Sequence, residues 1–244
     1  MVVPAFDEAG VIGGTVRRLR TELAKFESDL EIVVVDDGST DRTAAEAREA
    51  GADLVLELGS NRGKGAAVRA GMLAASGRTV AFTDADLAYA PDQVAMLADL
   101  VEEGWDVVVG SRHTDGAVTE VATSRIRQIG GWGVNRLVRL VVGDHSDTQC
   151  GVKAFRSDVA RLIFTDGRVD GFGFDVEIFA IAERHGLSLL AAPVRVVNST
   201  RSTVRVVHDG LALAADLVRI GWHLRRGGYT AAGADGLPPA RPGC

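Results

Sequence analysis

The chain has 244 residues, 46% of them hydrophobic and 25% charged, with a formal net charge of −6. That is the composition of a soluble globular protein with enough length for a substantial core, as one large α/β domain or two small ones. The acidic balance argues against nucleic acid as a partner, since phosphate binding requires a basic surface. The 29 glycines and 6 prolines follow no repeat, and the 2 cysteines, Cys150 and Cys244, suit a reducing compartment better than a disulfide. No signal peptide or membrane span is read, because the apolar stretch 211–224 is short and carries Asp216 and Arg219. The expected location is the cytoplasm.

The first hundred residues alternate strand and helix signals. Residues 2–5 predict a first strand, and 10–26 a helix with Val11, Ile12, Val16, Leu19, Leu23 and Phe26 at helical spacing. The β-branched run EIVVVD (31–36) predicts a buried strand, and DGSTD offers turn chemistry before a helix over 40–50. A strand over 52–58, a helix over 64–76 and a strand over 79–83 follow. Pro91 suits the first position of a helix that runs on over 92–103, and DVVVG predicts a strand over 106–110.

The second half is less regular. A helix is predicted over 124–142 and a strand or extended segment over 148–155. A helix over 174–185, an edge strand over 187–197 containing Pro193, and a last helix over 206–226 complete the chain. Residues 227–244, with five glycines and three prolines, are read as a disordered tail beyond a single domain over 1–226.

Strands separated by helices of this length imply a mostly parallel sheet with helices on both faces, in which ligands bind beyond the carboxyl ends of the strands. Three polar clusters fall there: 4–8, 36–41 and 84–86. In VAFTDADLAYAP, Asp84 and Asp86 can share a hard divalent cation, Mg²⁺ or Mn²⁺. As a bare pattern the pair also fits an Asx-turn leading to the Pro91 helix. DDGSTD is equally open: Ser39 or Thr40 can cap a helix, while Asp36 or Asp37 can accept from a ribose or a base. NRGKG before a helix can meet an anion through Lys64, yet neither the P-loop pattern nor G-x-G-x-x-G is present.

In combination, VVPAFDEAG, VVVDDGSTD, NRGKGAAVRAGM, FTDADL and GSR, followed by DTQCGVKAF and GFGFDVEI, resemble the family 2 glycosyltransferases of the GT-A fold. The last two motifs resemble the polyprenyl-phosphate branch, above all the dolichyl-phosphate β-glucosyltransferases, over about residues 1–226. The resemblance implies a Rossmann-like GT-A sheet and transfer of a sugar, glucose favoured, from a nucleotide diphosphate, UDP favoured, to polyprenyl phosphate. Alternatives are GDP-mannose as donor or a hydroxyl acceptor on the same fold.

Carried over by position, Pro4, Ala5 and Glu8 match the first nucleotide-contacting loop, Asp37 the residue that holds the base or ribose, and Lys64 the glycine-rich segment beside the nucleotide. Asp84, Ala85 and Asp86 match the metal-binding D-x-D, with Asp86 the direct ligand. Arg112 and Arg125 match basic positions around the acceptor phosphate. Gln149 and Lys153 fall in the segment that closes the site, and Asp175 and Glu177 in the motif that lines it. For a hydroxyl acceptor, Asp147 or Asp175 would be the candidate base. Phe6, Asp7, Asn198 and Thr203 depart from the family's pattern, and Ala88 stands where mannose synthases place a further polar ligand. The segment 124–142 carries Arg125, Arg127, Arg136 and Arg139 without an acid, and with Trp222, Arg225, Arg226 and Tyr229 at the end of the last helix it suggests peripheral contact with a membrane.

Overall fold

A computed structural model describes residues 1–26, 29–112, 114, 118–119, 138, 142–143, 147–196 and 206–229. Its framework is β1 (Val2–Ala5), α1 (Ile12–Leu23), β2 (Val33–Asp36), α2 (Thr43–Glu49), β3 (Leu54–Glu57), α3 (Lys64–Ala74), β4 (Thr79–Phe82), α4 (Pro91–Glu102) and β5 (Val107–Ser111). After β6 (Val118–Thr119) come β7 (Lys153–Arg156), α5 (Ser157–Asp166), α6 (Phe174–Arg184), β8 (Leu189–Pro193), β9 (Arg195–Val196) and α7 (Val206–Arg225).

Seven strands form one sheet in the order β3-β2-β1-β4-β7-β5-β8, while β6 and β9 pair separately. All neighbours in the large sheet are parallel except β7, which runs antiparallel between β4 and β5. The expected architecture is therefore present, with one reversed strand at its centre. β8 pairs only with β5 and lies at the sheet edge, where Pro193 costs no ladder bond.

Valine alternation explains the layering. Val2, Val33, Val35, Val107 and Val109 face α3, α5, α6 and α7, whereas Val3, Val34 and Val108 face α1 and α4. A strand turns successive side chains to opposite faces, so continuous apolar runs serve a sheet covered on both sides. Phe82, Phe155, Phe164 and Phe174 stack or meet edge-on on the first face.

Three expectations change. Residues 148–150 turn rather than extend, and the strand begins at Lys153. α5 was not anticipated, although Val159, Leu162 and Ile163 repeat at helical spacing and are buried. At the carboxyl end, chain beyond Arg226 is packed: Tyr229, expected at a membrane surface, is 1% exposed and its hydroxyl donates to Glu177 at 2.8 Å. The predicted helix over 124–142 and the rest of the tail lie outside the described residues, apart from Val138, Val142 and residues 227–229.

Replacing Tyr229 by Phe keeps the ring but removes a hydrogen bond to a buried carboxylate. The expected loss is about 1–3 kcal/mol of stability, read as a lower urea midpoint. An unchanged midpoint would show that this tyrosine does not anchor the end of the chain.

Candidate active site at the carboxyl edge of the sheet

The carboxyl ends of β1, β2, β4 and β5 converge with the amino end of the reversed strand β7, and with the amino ends of α3 and α6. The register pairs Phe82 with Lys153, so the residues just after β4 lie against those just before β7. Gly151 makes this approach possible, because a β-carbon there would overlap the Asp84 carboxylate.

The first loop is held down by reciprocal bonds to the segment after β2. The amides of Asp7, Glu8, Ala9 and Gly10 donate to Ser39 Oγ, Thr43 Oγ1, Asp41 Oδ2 and Glu46 Oε2, at 2.9, 2.8, 3.0 and 2.6 Å. In return Asp7 Oδ1 accepts from the Thr40 amide at 2.8 Å. Asp7 holds φ at 51°, a left-handed conformation that aspartate tolerates better than most residues. Its departure from the family pattern thus has a local structural role. Pro4 and Ala5 form the buried end of β1, and Ala5 accepts the Asp37 amide at 2.9 Å.

Asp37 is buried and its two oxygens take the amides of Arg62 and Gly63, each at 2.8 Å. Burial raises its pKa against the pull of those two amides and Arg62. Its carboxylate therefore shapes the NRGKG loop. Gly38 and Gly63 both have positive φ, and a β-carbon on either would collide with Ser60 or with the Asp170 carbonyl.

That loop delivers Lys64 as the first residue of α3. Its Nζ lies 2.5 Å from Asp84 Oδ1, with side-chain exposures of 21% and 31%. Burial alone would lower the lysine pKa, but the charges of Asp84, Asp175 and Asp86 outweigh it and hold it raised. Between the two aspartates, the Ala85 carbonyl accepts from buried Thr15 at 2.5 Å, which ties the turn to α1. Asp86 Oδ1 accepts from the Ala88 amide at 3.1 Å, so the Asx-turn and the half-buried carboxylate pair coexist. Burial raises the pKa of Asp86, reinforced by Asp84.

Deeper in, Lys153 is fully buried. Its Nζ pairs with Asp175 Oδ1 at 2.5 Å, donates to the Cys150 carbonyl at 2.7 Å and stands 5.4 Å from the centre of the Phe82 ring. Burial raises the Asp175 pKa despite Lys153 and Lys64. The order of charges from surface to core is Asp86, Asp84, Lys64, Asp175, Lys153.

Arg112 follows β5 and closes on Asp147, with Nε and Nη2 at 2.7 and 2.9 Å from its two oxygens. The pair raises the arginine pKa and leaves its remaining N–H groups for a ligand. Gln149 is exposed between buried Thr148 and Cys150. Glu177 is a correction: it accepts from the amides of Arg168 and Val169 and from Tyr229, away from the charge series, so it does not line the site. Arg125, Asn198 and Thr203 lie outside the described residues. Sequence reasoning missed the role of Gly151, whose signals were its place in DTQCGVKAF and two residues before a strand start.

Among the described residues no three His, Cys, Asp or Glu side chains gather as a complete metal cage. Asp84 and Asp86 offer two hard oxygen donors in a partly desolvated setting, which fits Mg²⁺ or Mn²⁺ completed by a ligand's own oxygens. Also among the described residues, no helix is long and apolar enough to cross a membrane.

Comparison with known proteins bears on the family and the fold. Residues 1–163 match the glycosyl transferase family 2 domain. A dolichyl-phosphate β-glucosyltransferase of Drosophila melanogaster is 39% identical over 78% of this chain and 62% of its own length. The corresponding enzyme of Saccharomyces cerevisiae is 31% identical over 90% of this chain and 73% of its own. Glucosyl-3-phosphoglycerate synthase of Mycobacterium tuberculosis has the same fold, with a TM-score of 0.68 at 22% identity over 91% of this chain and 79% of that one. The same synthase has been solved with Mn²⁺, UDP and its glucosylated product.

Two substitutions test the geometry. Gly151→Ala should push Asp84 off Lys64 and weaken Mn²⁺-dependent UDP binding at least about tenfold, a loss of about 1.4 kcal/mol, with the fold retained by circular dichroism. Lys153→Ala leaves Asp175 buried and unpaired and should cost about 3–5 kcal/mol in urea unfolding. Full stability with lost activity would instead make Lys153 a group that acts on substrate.

Proposed function

The chain belongs to glycosyltransferase family 2 and has its GT-A fold, and from this we propose that it transfers glucose from UDP-glucose to a polyprenyl phosphate, with inversion at the anomeric carbon. The sugar and the lipid acceptor are drawn from the dolichyl-phosphate β-glucosyltransferases it is 29–39% identical to, and UDP from the structural neighbour.

The observation that carries the choice of acceptor is the state of the two candidate bases. Both oxygens of Asp147 are taken by Arg112, and Asp175 is buried against Lys153. Asp147, tied to a cation in this way, is a poor proton acceptor for a sugar hydroxyl, and Asp175, although burial raises its pKa, is closed off from an acceptor by that same burial. A phosphate monoester needs none, because it is already mostly dianionic near neutral pH, its second pKa being about 6. One of its oxygens attacks the anomeric carbon as the bond to the nucleotide diphosphate breaks, and the diphosphate leaves with the electron pair.

The chain's own groups divide the work. Pro4, Ala5 and Glu8 border the nucleotide, and Asp37 holds the loop that brings Lys64 to the diphosphate. The helix start behind Lys64 adds favourable backbone dipoles for an anion. Held by Asp84 and Asp86, Mg²⁺ or Mn²⁺ would neutralise the charge developing on the leaving group. Arg112, fixed by Asp147, and Gln149 face the acceptor side, and Arg125 is the second basic group there by its match to the family.

Contact with an anionic membrane surface suits a lipid acceptor. On α7, Val218 is 70% and Trp222 48% exposed, flanked by Arg219, Arg225 and Arg226, with the Arg226 guanidinium 4.2 Å from the Trp222 ring. An apolar ridge edged by arginines is suited to the headgroup boundary.

The test is a panel of UDP- and GDP-sugars with a short polyprenyl phosphate in anionic vesicles, and with phosphoglyceric acid as soluble acceptor, products identified by mass. Glucosylation of the lipid phosphate from UDP-glucose is expected, and its loss in Asp86→Ala together with Mn²⁺-dependent UDP binding. Transfer to the soluble acceptor alone, or unchanged UDP affinity in that variant, would reject the assignment.

A further inference from the structure

The ion pair between Lys64 and Asp84 has a consequence for the order in which ligands can enter. We propose that Lys64 is a built-in counter-cation which occupies the carboxylate pair until a nucleotide diphosphate draws it away, so that the divalent cation and the nucleotide bind as a mutually dependent pair. This rests on the reading of Asp84 and Asp86 as the metal-binding residues of a nucleotide-sugar site.

Three observations carry it. Lys64 Nζ sits at 2.5 Å from Asp84 Oδ1, on an oxygen that a metal would need. The lysine has nowhere deeper to retreat, since the neighbouring Asp175 is already paired with buried Lys153. Lys64 is also the first residue of α3, following Gly63 with its φ of 106°, so its stem starts at the amino end of a helix, where the backbone dipoles favour an anion.

Charge balance sets the direction. Asp84, Asp86 and Asp175 face Lys64 and Lys153, which leaves the cluster one negative charge in excess. A dication arriving alone would displace Lys64 and leave the partly buried site with excess positive charge. A dication arriving with a diphosphate gives Lys64 a new anionic partner as it releases Asp84. Each ligand therefore raises the affinity for the other, and by thermodynamic linkage the factor is the same in both directions.

Substitution of Lys64 separates this role from a merely structural one. Mn²⁺ binding to the full chain is followed by the electron paramagnetic resonance of the free ion, with and without UDP, in the native protein, K64M, K64Q and K64R. Without nucleotide, K64M and K64Q should bind Mn²⁺ about tenfold more tightly than the native protein, and UDP should tighten Mn²⁺ by a correspondingly smaller factor. K64R keeps the cation and should behave as the native protein does. A general disturbance of the loop would weaken metal binding, not strengthen it. Mn²⁺ affinity that is unchanged or weaker in both K64M and K64Q, in a native protein that binds UDP with Mn²⁺, overturns the inference alone. A native protein that binds no UDP with Mn²⁺ overturns the proposed function and the inference with it.

Discussion

Charged side chains can share one end of a folded sheet only if the buried ones lie beside their opposites. Asp84, Lys64, Asp175 and Lys153 alternate in sign from the rim to the core, and Asp86 stands at the outer end beside Asp84. In a medium less polar than water an unmatched member of this series would be expensive, so the partners hold each other in place. They belong to the turn after β4 and to α3, α6 and β7, and the series fastens these elements at one point. Other features of the site act by permitting that convergence.

Glycines are the main permission. Gly151 lets the segment before β7 lie against Asp84, Gly63 and Gly65 let the start of α3 meet residues 169–170, and Gly38 lets the turn after β2 touch residue 60. At each position a β-carbon would overlap backbone or a carboxylate. Hydrogen bonding then fixes the approach: the amides of residues 7–10 bind the side chains of Ser39, Thr43, Asp41 and Glu46, and Asp37 binds the amides of residues 62–63. Loop backbone that would otherwise require water is satisfied from within the site.

The deep pair and the outer pair have different chemical prospects. Lys153 and Asp175 are sealed from solvent and act by holding Cys150 and the turn after Asp147 in place. Lys64, Asp84 and Asp86 keep part of their surface in water and can exchange partners when a ligand arrives. Arg112 is intermediate, since Asp147 orients it while leaving donors free. The proposed transfer from a nucleotide diphosphate to a lipid phosphate would call on both kinds of cation, fixed ones to shape the site and a movable one to meet the ligand.

Much of the fold was legible along the chain. The valine runs of β1, β2 and β5, the helical spacing of α1 and Pro91 at the start of α4 are local signals, and local sterics and solvation made them reliable. The clustering of Asp37, Lys64, Asp84 and Asp86 at strand ends followed from the α/β alternation, and the combined motifs pointed to the family. What stayed hidden depends on contacts between residues distant in sequence. The reversed placement of β7 brings Lys153 beside Phe82 and Gly151 beside Asp84; no periodicity encodes which strand lies next to which. Glu177 shares a motif with Asp175, yet two residues along one helix is about 200° around its axis, which sends the two carboxylates to different partners. The sequence alone thus determined which chemical groups the protein possesses and which strand ends carry them. Only the tertiary structure decided which charges pair, because ion pairing depends on distances of a few ångströms across elements that the chain keeps up to a hundred residues apart.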